Sequence, residues 1–284
     1  MTLSLSEIST VAASLDDDLR AYAAAGFEGI GLWEMKLGDD AADLETVRAS
    51  GLRVTNCVPA VPSILPNSVI EGPDDVEVRI AALCASMHRF AAFEPDCVLC
   101  LTGPTGDRED ADARRLVLDG LRRVATAAAA AGVWLGLEPI HASQRDDLTL
   151  ITTIPETLEL LHEAGLPEVG IMVDLWHIGD TPEIERHLAE NVDRITGVHV
   201  AEWFAEERSD RALPGERCAT LMRVLQDAGW NGAWDVEIFG DPGRPDSLWA
   251  LDVDTAATLA YESVSASIAS TRRSISANAA DQIP

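Results

Sequence analysis

The stretch AAAAAGVWLGLEPIH, residues 127–141, contains the unit from which the whole chain is built. An alanine-rich helical run stops at Gly132, the residue type that a left-handed helix C-cap favours. Residues 134–138, WLGLE, then read as a strand buried on both faces that ends in a carboxylate, Glu138. The same order of helix, small-residue stop, short apolar strand and polar turn recurs along the chain. Strands are predicted at 5–9, 29–33, 53–57, 97–101, 134–138, 170–174, 196–200 and 233–237. Amphipathic helices are predicted between them at 16–25, 41–50, 75–93, 110–131, 155–164, 182–190, 216–228 and 254–270. The stops Ala25-Gly26, Ser50-Gly51, Ala164-Gly165 and Ala228-Gly229 repeat the one at Gly132. Eight strand-then-helix units with short connections and no break in composition predict a single (β/α)8 TIM barrel over residues 1–270, followed by a flexible tail at 271–284. A doubly wound sheet is the competing arrangement, but no G-x-G-x-x-G phosphate loop follows any strand.

Composition narrows the partners. The formal charge of −27 repels phosphodiester backbones and anionic membranes, so neither nucleic acid nor a membrane is expected as a partner. No run approaches the roughly 20 apolar residues of a membrane span. The start, MTLSLSEIST, lacks a basic segment followed by an apolar run, so no signal peptide and a cytoplasmic location are expected. Five scattered cysteines fit buried thiols in a reduced compartment; Cys97 and Cys100 form a C-x-x-C with no second pair near it. Residues 58–74, VPAVPSILPNSVIEGPD, break the repeat with a long, proline-rich and unusually apolar loop, which predicts a lid or pocket wall.

In such barrels the active site lies where strands end and βα-loops begin. The fifth to eighth strands each end in a potential ligand: Glu138, Asp174, His199 and Glu237. One carboxylate after a strand is commonly a helix cap or a solvated rim group. Four ligand types in register on adjacent strands point instead to a shared counter-charge, since burying carboxylates without one is costly. Three oxygen ligands and one imidazole suit one divalent metal, Mn²⁺ above all, with Mg²⁺ or Co²⁺ as alternatives. His141 and His177 follow the first two ligands by three residues, in EPIH and DLWH. His177 is a candidate substrate-binding donor or outer ligand, and His141 a candidate proton carrier, because an imidazole titrates near neutral pH. Arg211 is a candidate anchor for a substrate oxygen; Trp33, Glu34, Trp176 and Trp203 are candidate pocket walls.

The segments LEPIH, MVDLWHIGD, ITGVHVAEW, LPGE and WDVEIFG, in that order, resemble the xylose isomerase-like barrel superfamily: sugar isomerases, ketose 3-epimerases, inosose-processing enzymes and endonuclease-four-type repair enzymes. The resemblance runs from the first strand to the eighth helix. It implies that Glu138, Asp174, His199 and Glu237 hold the metal and that His177 and Arg211 contact substrate. The implied chemistry is proton abstraction next to a carbonyl of a sugar or keto-sugar, through a metal-stabilised enediolate, with Glu138 and Glu237 as acid and base and His141 as a rival base. Reprotonation gives an isomerase or epimerase. Expulsion of a leaving group gives a lyase that cleaves 3-keto glycosides, resembling the catalytic subunit of C-glycoside deglycosidases. A homo-oligomer is expected, or, in the lyase branch, a hetero-oligomer with a small β-rich subunit. Two departures matter. Ketose 3-epimerases usually carry a second glutamate six residues after the first ligand, where this chain has Gln144, and Arg217 replaces the usual glycine after LPGE. The repair branch needs further metal ligands and a basic DNA surface, which six histidines and the acidic charge argue against.

Overall fold

The computed structural model describes residues 2–203, 211–244 and 247–280, without the side chains of 203, 211 and 271–280. Its strands are β1 (Leu3–Ser6), β2 (Gly29–Trp33), β3 (Arg53–Val58), β4 (Val98–Cys100), β5 (Leu135–Leu137), β6 (Gly170–Asp174), β7 (Ile195–Val200), β8 (Glu202–Trp203), β9 (Arg211–Ala212) and β10 (Trp234–Val236). Eight of them close into a parallel barrel in the order β1-β10-β7-β6-β5-β4-β3-β2, while β8 and β9 form a separate antiparallel ribbon. The helices are α1 (Leu15–Ala25), α2 (Asp40–Ser50), α3 (Val76–Phe90), α4 (Asp110–Ala131), α5 (Arg145–Leu148), α6 (Ile154–Ala164), α7 (Leu175–Ile178), α8 (Ile184–Glu190), α9 (Glu216–Asp227) and α10 (Val253–Ala280). This is the single (β/α)8 barrel that the alternation predicts. Among the described residues no helix is long and apolar enough to cross a membrane.

Local chemistry sets the helix ends. Ser14, Asp39, Asp75 and Thr153 each accept a hydrogen bond from a backbone N–H of the first turn they precede. Gly26, Gly51, Gly132 and Gly165 take the left-handed conformation at the far ends. The first strand begins and ends earlier than expected, at Leu3 and Ser6; residues 7–10 turn away from it, and Ser9 ties that turn to the neighbouring strand β10. Its hydroxyl donates to the Val236 carbonyl and accepts from the Ile238 N–H.

Strand alternation divides the core. Val98 and Cys100 of β4 join the large cluster that includes buried helix residues, whereas Cys97, Leu99 and Leu101 join a smaller one with Trp33, Val58 and Met172. That division puts the two thiols of the C-x-x-C in different clusters, and all five cysteines are free.

The apolar loop after β3 is a built wall. Ser63 pairs in parallel with Leu101, and Ile64 and Leu65 are wholly buried. Arg79 of α3, only 1% exposed, clamps it by donating to the Ser63 carbonyl at 2.8 Å, the Ser63 hydroxyl at 2.6 Å and the Pro73 carbonyl at 2.9 Å. Charge-assisted hydrogen bonds of this kind are worth more than neutral ones. Arg79→Ala is therefore expected to lower stability by about 2–4 kcal/mol in urea unfolding and to open residues 59–74 to limited proteolysis.

Candidate active site

Register brings the polar residues together. Asp174 of β6 lies opposite His199 of β7, and His199 lies opposite Asp235 of β10. Residues paired across parallel strands share a face, so these side chains all enter the barrel. Glu138 and Glu237 follow the last residues of β5 and β10, their amides donating to the Cys100 and Val200 carbonyls. Glu138, Asp174, His199 and Glu237 are all buried.

His199 is the pivot. Its Nδ1 stands 3.3 Å from Glu237 Oε2 and 3.7 Å from Glu138 Oε1, and its Nε2 stands 3.5 Å from Asp235 Oδ2. Glu138, Asp174 and His199 each present a ligand atom within 4.8 Å of the other two. Burial works against a charged ring at His199, but Glu237, Glu138 and Asp235 outweigh it and raise its pKa well above the ordinary value. Burial pushes the Glu138 carboxyl up to about 7, with His199 pulling the other way. Glu138 Oε1 and both His199 ring nitrogens are buried without a hydrogen-bond partner. Buried polar atoms normally find one, and a divalent cation held between Glu138 and His199 would give Glu138 Oε1 and one ring nitrogen a partner. The donor set of carboxylate oxygens and one imidazole nitrogen therefore fits such an ion.

Above this cluster lies a cavity of about 140 Å³. Its polar lining residues are Glu138, Glu237, His177 and Gln144; Trp33, Val58, Leu99, Leu101, Trp176, Phe239 and the loop residues Pro62, Val69 and Ile70 are among the apolar ones. His177 Nδ1 accepts from the His141 amide at 3.1 Å, which leaves the proton on Nε2, 3.6 Å from Asp174 Oδ2. Trp176 donates its amide to Asp174 Oδ1 at 2.8 Å. His141 is not among the lining residues: Ser143 meets its Nδ1 at 2.7 Å, and Asp180 lies 3.4 Å from Nε2. Glu34 is likewise turned aside, accepting from the Ala60 amide at 2.8 Å and the Ser86 hydroxyl at 2.7 Å and pairing with Arg89. It pins the apolar wall. The side chains of Arg211 and Trp203 lie outside the described residues.

Residues 19–259 match the xylose isomerase-like TIM barrel. The chain belongs to this family. The xylose isomerase-like barrel superposes on a protein of Sinorhizobium meliloti with a TM-score of 0.79 at 23% identity, covering 92% of this chain and 96% of that one. It is also similar to an L-ribulose 3-epimerase (TM-score 0.76, 18% identity, 100% and 99% covered). An IolI protein with a bound zinc atom is a further neighbour (TM-score 0.75, 17% identity, 95% and 99% covered). At these identities the likeness establishes the fold. No curated protein matches the sequence.

Two residues of this barrel escaped the sequence reading. Asp235 is wholly inside, accepts from Asn56 Nδ2 at 2.9 Å and faces the far edge of His199. Its Oδ2 approaches β2 so closely that a Cβ at Gly31 would stand 2.6 Å from it. The signal was available: Asp235 stands two residues before Glu237, hence on the same strand face. Glu7 follows β1 and is wholly buried, accepting from the amide of Trp33 at 2.6 Å. Burial pushes its carboxyl up to about 8 against the pull of Lys36 and that amide.

Both have measurable consequences. Neutralising a carboxylate that orients a ligand imidazole typically costs about 10–100-fold in metal affinity. Asp235→Asn should show that loss in Mn²⁺ calorimetry with an unchanged circular dichroism spectrum. The Glu7 carboxyl keeps its proton in the fold while the unfolded chain releases it near the ordinary value of 4.5. Its stabilisation is thus complete below that pH and is lost as pH rises through about 8. Glu7→Gln has no proton to release, so its stability relative to the parent should grow between pH 5 and 9, by on the order of 2 kcal/mol. Urea unfolding at both pH values would read it, and a difference independent of pH would contradict the assignment.

Proposed function

We propose that this barrel is a divalent-metal-dependent isomerase or epimerase that removes a proton from the carbon next to a carbonyl. The observation that carries the reading is that Glu138 and Glu237 both border the cavity and both face Nδ1 of His199, at 3.7 and 3.3 Å. Glu138, Asp174, His199 and Glu237 would hold the cation, and the oxygen-rich set favours Mn²⁺, Mg²⁺ or Co²⁺. When bound, the ion supplies positive charge beside the substrate carbonyl oxygen, where negative charge develops as the proton leaves. Asp235, beside Nε2, holds the His199 proton on that edge and leaves Nδ1 as the donor atom. His177, with its proton on Nε2 and its ring at the cavity, donates to a substrate oxygen. Glu237 and Glu138 take and return the carbon-bound proton, since both line the cavity and His141 does not. The apolar wall excludes water from the site while the proton is in transit.

A lyase outcome is the second reading, and Gln144 is the observation in its favour. Where the epimerase pattern expects a second glutamate, an amide lines the cavity and has no proton to deliver to the opposite face of the substrate. Elimination needs one proton removed and a leaving group protonated, which Glu138 and Glu237, one as carboxylate base and the other as carboxylic acid, supply.

The test is solvent-deuterium exchange with Mn²⁺ present, against a panel of ketoses, inososes and 3-keto glycosides. Deuterium in recovered sugar marks isomerisation or epimerisation, and release of a free aglycone marks elimination. Glu138→Gln and Glu237→Gln are each expected to slow turnover at least about 100-fold, the usual worth of a positioned acid or base. Near-normal turnover in both would refute the proton-transfer roles, and turnover unchanged by chelator would refute the metal.

A further inference from the structure

We infer that the substrate joins an aromatic ring to an α-hydroxycarbonyl group, rather than being a free polyhydroxylated sugar. The inference rests on the metal-assisted reading above for one end of the substrate only; the other end follows from the cavity itself. Among the described residues the polar lining side chains are Glu138, His177 and Glu237, which follow β5, β6 and β10, and Gln144, in the turn after Glu138; these would take a pair of substrate oxygens. Strands β2 to β4 and the residues after them contribute Trp33, Val58, Leu99 and Leu101, the loop after β3 adds Ile70, and Phe239 packs against Trp33; of these only Trp33 carries a side-chain hydrogen-bond donor. The Trp33 indole is already committed, its Nε1 donating to the Ser6 hydroxyl at 2.9 Å. A ketose with two oxygens at the carboxylates would carry its remaining hydroxyls toward these apolar residues, which, among the described residues, offer them no partner in place of water.

An aromatic ring meets no such obstacle. Trp33 and Phe239 already stand edge to face, with centroids 5.8 Å apart and planes at 70°, the arrangement aromatic rings prefer and one that a third ring extends. The wall is also fixed before any ligand arrives: its loop is bridged to Leu101 and clamped by Arg79. Ring recognition therefore needs little ordering of the protein.

The experiment compares 2-hydroxyacetophenone with hydroxyacetone, which present the same hydroxy-ketone and differ in phenyl against methyl. Calorimetric titration of the full-length protein is done once with Mn²⁺ and once with EDTA. The expected result is at least tenfold tighter binding of 2-hydroxyacetophenone under both conditions, with both affinities weaker in EDTA. Equal affinities, or tighter binding of D-fructose than of 2-hydroxyacetophenone, would overturn the inference while leaving the metal reading intact. If EDTA changes neither affinity but the tenfold preference persists, the ring site stands and the metal reading fails. Leu99→Asn and Ile70→Asp should each cut the preference to threefold or less with hydroxyacetone binding unchanged. Ile70 lies in the loop, so its variant decides the matter if Leu99→Asn does not fold. A preference that survives the Ile70 substitution and, where it folds, the Leu99 one would also overturn the assignment.

Discussion

A fully buried imidazole with carboxylates on both edges is the constraint around which the barrel mouth is arranged. His199 cannot satisfy all of its neighbours with one proton. Protonated on both nitrogens, it partly neutralises Glu138, Glu237 and Asp235, which is why its pKa is driven up despite burial. Neutral, it keeps one proton for Asp235 and turns a lone pair toward the two glutamates, and the charge it has given up must be replaced. The same pocket that makes an empty cluster costly thus makes a filled one favourable. Gly31 and Asn56 serve this arrangement from the opposite side of the barrel, the first by leaving room for Asp235 and the second by holding its carboxylate.

The fold was legible because the chain repeats one rule. Each strand is a short apolar run, each helix is amphipathic, and glycine closes most of the junctions, so local preference and global topology agree. The polar cluster was legible for a related reason: three carboxylates and one histidine fall at the ends of four adjacent strands, and the structure brings all four inside the barrel mouth as buried groups. What sequence spacing does not contain is rotation about a turn. His141 and His177 each follow a ligand by three residues, yet one imidazole lines the cavity and the other is held aside by Ser143 and Asp180. Glu34 follows a pocket tryptophan directly and still faces away, because Ala60, Ser86 and Arg89 converge on its carboxylate. Those partners come from distant segments, and only folding brings them together.

The wall after β3 shows how a break in the repeat is stabilised. A long connection ordinarily leaves backbone groups to water and stays mobile. Here Leu101 and Thr102 pair with residues 62–65 as though a short extra strand had been added beside β4. A buried arginine and a pinned glutamate secure the rest. Gly103 takes a positive φ, and any side chain there would collide with the Leu65 carbonyl, so loop and strand end are fitted to one another. A segment built this way contributes a fixed surface to the cavity rather than an adaptable one.

The division of the cavity into two chemistries follows from charge. One cation can compensate only carboxylates that reach it, and carboxylates reach a common point only from neighbouring strands. The residues that would hold such a cation accordingly lie on or directly after β5, β6, β7 and β10, which are consecutive around the barrel. Where the strands on the other side border the cavity there is no such counter-charge to share, so an unpaired polar group there would be costly. Trp33, Val58, Leu99 and Leu101, from β2 to β4, are what that restriction leaves. A substrate that fills the mouth must then be polar where it meets one half of the barrel and apolar where it meets the other. On that division the carboxylates would act on the polar part of a substrate, while the uncharged half would select what is attached to it.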